Sequence, residues 1–331
     1  MGAASVSVSG SNGVITAVAG DLIKLSSGTG DTVTGTGFTV DASSGTGVTV
    51  GGNTVSGTLD TVVGSSATVG VETNSNVKLT GSSDKVTMTA GAASHLTVFG
   101  STDAIAAASG DTVYLKSGTG DKVTGTGFTV DASSGTGVTV GGNTVSGTLD
   151  TVVGSSATVG VETNSNVKLT GSSDTVTMTA GAASHLTVSG STDSIAAASG
   201  DTVNLTSGTG DTVTGTGVTI DNGSGTGLTI KGTADLVYAG LSDSLTDDGS
   251  STVFKFNSNV GGLKISSFGS DTTGVIDLLS GVGGYTTAAT AFAALTSDGS
   301  GGSLLSLGAD GSIDLKGVAP SSLHVSNFKI G

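Results

Sequence analysis

The feature that most constrains this chain is a repeat. Residues 20–109 align without a gap on residues 110–199, with eight differences in the 90-residue unit, at positions 22, 23, 24, 26, 32, 85, 99 and 104. A third copy begins at residue 200 as GDTVNLTSGTGDTVTGTGVTIDNGSGTGLTI and decays after Lys231. The segment 1–19 sits in the same frame, with Val6-Ser7-Val8 matching Leu96-Thr97-Val98. Self-similarity at a fixed period is the signature of stacked architectures, in which each repeat contacts only its neighbours.

A finer period runs inside the unit. Apolar anchors fall at Val159/Val161, Val167/Leu169, Val176/Met178, Leu186/Val188, Ile195, Val203/Leu205 and Val213, with Gly, Ser, Asn or Asp in nearly every gap. In V-T-V, V-T-M and L-T-V, alternation sends the apolar pair to one face and threonine to the other. Strands this short, separated by tight turns, predict an all-β parallel solenoid (a β-roll or β-helix) rather than a sandwich. Two nine-residue strand-and-turn segments make an 18-residue coil, and five such coils make one 90-residue unit. A three-sided coil of variable length remains open at this point. Coils stacked about 4.8 Å apart over residues 1–235 predict a rod of roughly 60 Å.

Composition supports a β-rich chain with an unusual core. There are 58 glycines, one proline, eleven aromatic residues, no cysteine and no tryptophan, and all eleven basic residues are lysine. The absence of cysteine excludes disulfides and thiol chemistry. A formal charge of −15 disfavours nucleic acid as a partner, since phosphate binding needs lysine and arginine clusters. It predicts an anionic surface that would attract divalent cations. No apolar run approaches the roughly 20 residues of a membrane helix, so membrane insertion is not expected. The N-terminal stretch MGAASVSVSG has neither the basic region nor the apolar core of a Sec signal peptide.

The organisation expected is a partial in-phase repeat (1–19), two full repeats (20–109 and 110–199), a partial third (200–235) and a mixed C-terminal capping segment (236–331). In the last segment, residues 253–256, 263–265, 275–278, 304–307 and 312–315 read as strands. Residues 286–295 (TTAATAFAAL) read as a short alanine-rich helix. Seven of the eleven aromatic residues lie in this segment.

The recurring units SGTGDTV, SGTLDTV, TGSSDTV and SGSTDSI resemble degenerate nonapeptides of the repeats-in-toxin (RTX, haemolysin-type) proteins. The C-terminal stretch SLLSLGADGSIDLKGVAPSSLHVSNFKIG is similar to the ends of type I secreted proteins. The resemblance implies export from a bacterium, to the cell surface or beyond, through a type I channel by an uncleaved C-terminal signal. It also implies calcium, although the family's G-G-x-G-x-D-x-U-x motif has one residue more between its glycines and the aspartate. Asp84, Asp103 and Asp121 are spaced 19 and 18 apart, as are Asp174, Asp193 and Asp211. That is about one coil, so these six carboxylates are expected to stack and are the candidate calcium ligands. The alternative is that each caps its own turn as an Asx-turn.

Enzymatic chemistry is not expected. No HExxH, CxxC, P-loop or G-x-S-x-G elbow occurs, and of the three histidines two (His95 and His185) are one repeat position copied. The function expected is a structural one: a secreted protein that joins other copies head-to-tail into an extracellular filament or biofilm matrix. A surface adhesin or passive stalk is the first alternative. Ice binding through outward threonines, such as Thr32, Thr34 and Thr36 or Thr175, Thr177 and Thr179, is the second.

Overall fold

A computed structural model describes residues 3–43, 47–52, 58–132, 137–142, 147–223, 227–256, 260–268 and 273–331. The chain is an all-β parallel solenoid of about 14 turns, with a mixed antiparallel segment near its C-terminus. It divides into two compact units, Met1–Thr170 and Gly171–Gly331.

In the first unit each coil contributes one strand to each of two sheets. Residues 20–109 supply ten strands, which is five coils of two strands each. The two-strand coil expected from the nine-residue spacing is therefore the one adopted, and the three-sided alternative is not. Coil length is not uniform. Val62 lies opposite Val40, Leu79 opposite Val62 and Val98 opposite Leu79, so the first of these coils is longer than the two that follow. Across coils of different length the strands keep their parallel pairing.

That register stacks like on like. In one sheet Val40, Val62, Leu79 and Val98 form a continuous inward column, each 0% exposed. In the other sheet Val33, Val50 and Val71 do the same. Burying such a side chain contributes about 1.5–3 kcal/mol, so a coil only two valines wide is stabilised by its neighbours rather than by itself.

Glycine is required where coils touch at a turn. Gly64, Gly81, Gly100 and Gly118 stack, and a Cβ on any of the last three would overlap the carbonyl oxygen of the glycine one coil before. The following turn residues, Ser83 and Thr102, are held at φ 62° and 59°, a region uncommon for non-glycine residues and rarest for β-branched ones.

In the second unit the coils continue past residue 235, where the repeat ceases to be recognisable. Leu236–Tyr238, Val253–Phe256, Val275–Leu278 and Phe328–Ile330 extend one parallel sheet. Ser244–Asp247, Gly261–Ser266 and Gly311–Lys316 extend the other. The aromatic residues of this stretch are core: Phe254, Phe256 and Phe268 are buried, with the rings of Phe254 and Phe268 5.9 Å apart. Only the later residues depart from the coil. The expected helix is present as Ala288–Ala293, capped by the Thr287 side chain, which accepts from the Thr290 N–H. Its Phe292 ring lies 6.2 Å from that of Phe328. Thr296–Ser297 and Ser303–Ser306 add antiparallel strands beside Gly311–Lys316.

Candidate functional site

The strands that open with D-T-V place aspartate and valine at the same parity, two residues apart. In Asp31–Gly35 the alternation buries both Asp31 and Val33 and turns Thr32 outward. The carboxylates of the D-x-V units therefore enter the solenoid instead of decorating it.

The six candidate ligands do stack, three in each unit, and all six are buried. What they hold is backbone. The Ala67 N–H donates to Asp84 Oδ1 at 2.8 Å, the Asp84 N–H to Asp103 Oδ1 at 2.8 Å, and the Asp103 N–H to Asp121 Oδ1 at 3.0 Å. In the second unit the Asp174 N–H donates to Asp193 Oδ1 at 2.8 Å and the Asp193 N–H to Asp211 Oδ1 at 2.9 Å. Each of these carboxylates thus takes an amide from the coil before it. This is not an Asx-turn, in which the donor sits two residues on in the same turn. Asp41, which accepts from the Ser43 N–H at 3.1 Å, is the Asx case.

The same device recurs at aspartates that spacing alone did not single out. Asp60 and Asp150 accept the N–H of Gly37 and Gly127, each at 2.7 Å. Asp111 and Asp201 each accept two amides at 2.8 Å, one from the preceding coil (Ser94, Ser184) and one three residues back (Ala108, Ala198). The parity of aspartate with the buried valines was the signal that would have found them.

Burial sets the electrostatics. Desolvation pushes Asp103 and Asp193 up to about 6, against their amide bonds, with the carboxylates above and below adding to the rise. Asp60 and Asp150 are likewise pushed up to about 6 by desolvation. Asp21 goes the other way, held below the ordinary range by the N–H groups of Val18 and Ala4. Oδ2 of Asp60, Asp103, Asp150, Asp193 and Asp211 is buried with no hydrogen-bond partner among the described residues. A protonated carboxyl suits such a position, because removing its charge removes the desolvation cost.

Burial also redistributes the charge. Sixteen of the 26 acidic residues are buried aspartates, and no lysine is buried among the described residues. The outer surface is therefore nearly balanced in charge, and the −15 belongs largely to the interior. Calcium takes six to eight oxygens. Asp84, Asp103, Asp121, Asp193 and Asp211 each spend one oxygen on an amide, and among the described residues no three His, Cys, Asp or Glu side chains gather where an ion could sit.

The remaining outward features are ladders of threonine and small residues. Thr32 and Thr34 are half-buried, and Thr36, Thr175, Thr177 and Thr179 are exposed.

No family model, curated protein or solved structure matches this chain. The reading of function therefore rests on the geometry of the coils and on the comparison of one repeat with the next.

Proposed function

We propose that the protein is a secreted structural element that joins further copies head-to-tail, coil on coil, building an extracellular filament or matrix. One observation carries this reading. Successive coils pair in parallel with like residue on like, as Val40, Val62, Leu79 and Val98 do. Val6 is 43% exposed, whereas Leu96, the same position one repeat on and sandwiched between coils, is 0% exposed. The same N–H and C=O pattern that joins one coil to the next can join a coil of another copy in that register. A head-to-tail contact of this kind propagates rather than closes.

The RTX-like repeats and the type I secretion-like C-terminal stretch support export from a bacterium. The outward threonine, serine and small residues, with no convergent nucleophile or base among the described residues, support a structural rather than a catalytic role.

Sedimentation velocity of this chain over a range of concentrations tests the reading, alongside Val6→Asp, which places a charge on the exposed Val6 position of the strand Ser5–Ser9. Concentration-dependent assembly that the variant abolishes is expected. A chain that stays monomeric at high concentration overturns the filament reading and leaves a monomeric stalk or adhesin.

A further inference from the structure

In a chain of near-identical repeats, the positions that differ show what the fold does not need. Three of the eight differences meet in one row of the sheet that contains Lys85–Met88. Lys85 lies opposite Ala104, and Ala104 opposite Lys122. In the second unit the same row reads Thr175, Ser194, Thr212, with the same pairing. The coil thus forms equally well on hydroxyls, and the change to Lys-Ala-Lys is a change of surface.

The row lines a groove of about 150 Å³, with Lys85 and Lys122 as its cations and Ala104 and Ala106 as its shallow floor. A second groove of about 360 Å³ lies on the same face and is lined by Thr49, Thr68, Gly70 and Thr87 among others. Thr68 is opposite Lys85 and Gly70 opposite Thr87, so the two grooves meet at this strand and run across successive coils. Lys85 has no ion pair among the described residues. Lys122 pairs with Glu162, while the aspartates of the same coils face inward.

We propose that this trough binds a linear acidic polysaccharide. Hydroxyls repeating coil by coil match a sugar chain laid along the stack, and the two ammonium groups match its carboxylates or sulfates. No aromatic ring lines either groove to stack a base, and two lysines release too few counterions for a nucleic-acid site. Neither groove offers a large apolar pocket to seat a protein anchor. The inference is independent of head-to-tail assembly.

Affinity electrophoresis through gels containing alginate or heparin, with chelator present, tests it. At least one of the two polymers is expected to retard the protein, and a neutral hydroxyethylcellulose gel is not. The double variant Lys85→Thr/Lys122→Thr should weaken that binding about tenfold or more with an unchanged circular dichroism spectrum, since its residues are those the second and third copies hold in the same row. Conversely, Thr175→Lys/Ser194→Ala/Thr212→Lys should add a second site. Passage without retardation in both acidic gels overturns the proposal, as does equal retardation of the double variant. Equal retention in a gel of single-stranded DNA would reduce the trough to an ion exchanger and overturn it as well.

Discussion

The backbone N–H of Asp84 donates to the side chain of Asp103, one coil later, at 2.8 Å. The bond crosses from coil to coil at a turn, where Ser83 and Thr102 are both left-handed and their hydroxyls meet at 3.0 Å. A turn of this kind leaves an inward amide that no strand carbonyl can reach. The aspartate of the next coil supplies the acceptor, so a buried acid links the two coils between the backbone bonds that flank it, from the Ser83 N–H to the Ser101 carbonyl and from the Ala104 N–H to the Asp84 carbonyl.

Truncating such an acid strands the amide it served. Asp103→Ala is expected to destabilise by about 1–3 kcal/mol, the cost of a buried donor without a partner. Asp103→Asn keeps an acceptor oxygen and removes a buried charge, so at neutral pH its loss should be smaller than that of Asp103→Ala. Because the site recurs, Asp193→Ala should match Asp103→Ala within about 0.5 kcal/mol. Urea unfolding of the three variants reads these differences; an alanine variant as stable as wild type would remove the linking role.

The raised carboxyls set a pH dependence of definite sign. Asp60, Asp103, Asp150 and Asp193 sit near 6 in the folded chain, against an ordinary value of about 3.9. Between those values the folded state binds more protons than the unfolded one, so stability falls as pH rises. The contribution is fully present below about 4 and is lost as pH rises through about 6. Asp21 and Asp298, lowered by their hydrogen bonds, act oppositely and lose their contribution as pH falls below the ordinary range. Tm is therefore expected to peak in mildly acidic buffer and to be lower at pH 8 than at pH 5. A Tm that climbs steadily from pH 5 to pH 8 would contradict the buried-acid assignment.

Close approach of turns makes particular glycines indispensable. Gly100→Ala puts a methyl on the carbonyl of Gly81, a backbone atom that cannot move without shifting a coil. Destabilisation beyond about 2 kcal/mol is expected. Gly262→Ala, where a Cβ meets nothing within 4 Å, should change stability by no more than about 0.5 kcal/mol. Thermal unfolding of the pair separates the effect of position from that of glycine itself.

The parallel solenoid and its five coils per repeat were legible because valine and leucine alternate with threonine at nine-residue intervals, and that alternation is set by the pleat. Which anchors face each other was not, because Val40 and Val62 look alike in sequence and only the register places one opposite the other. The continuation of the coils through Val253–Phe256 and Val275–Leu278 was hidden by the loss of repeat identity, although the strands themselves were readable. The stacking of Asp84, Asp103 and Asp121 was readable from spacing. Their inward direction was written in D-x-V parity, but charge argues for the surface, and only the amide supplied by the neighbouring coil makes burial tolerable. The row of Lys85, Ala104 and Lys122 needed the register, since each member lies a whole coil from the next along the chain.

Calcium dependence is read directly from the fold. With no converging donor set among the described residues, circular dichroism and Tm are expected to be the same in millimolar calcium and in chelator. A Tm increase that follows calcium concentration would show that ligands assemble in a way the coils do not display.

The most direct test of the structural role is electron microscopy of the purified chain, with Val6→Asp prepared in parallel. Filaments one solenoid wide, absent from the variant, are the expected result. Dispersed single particles of the unmodified chain at every concentration would contradict it.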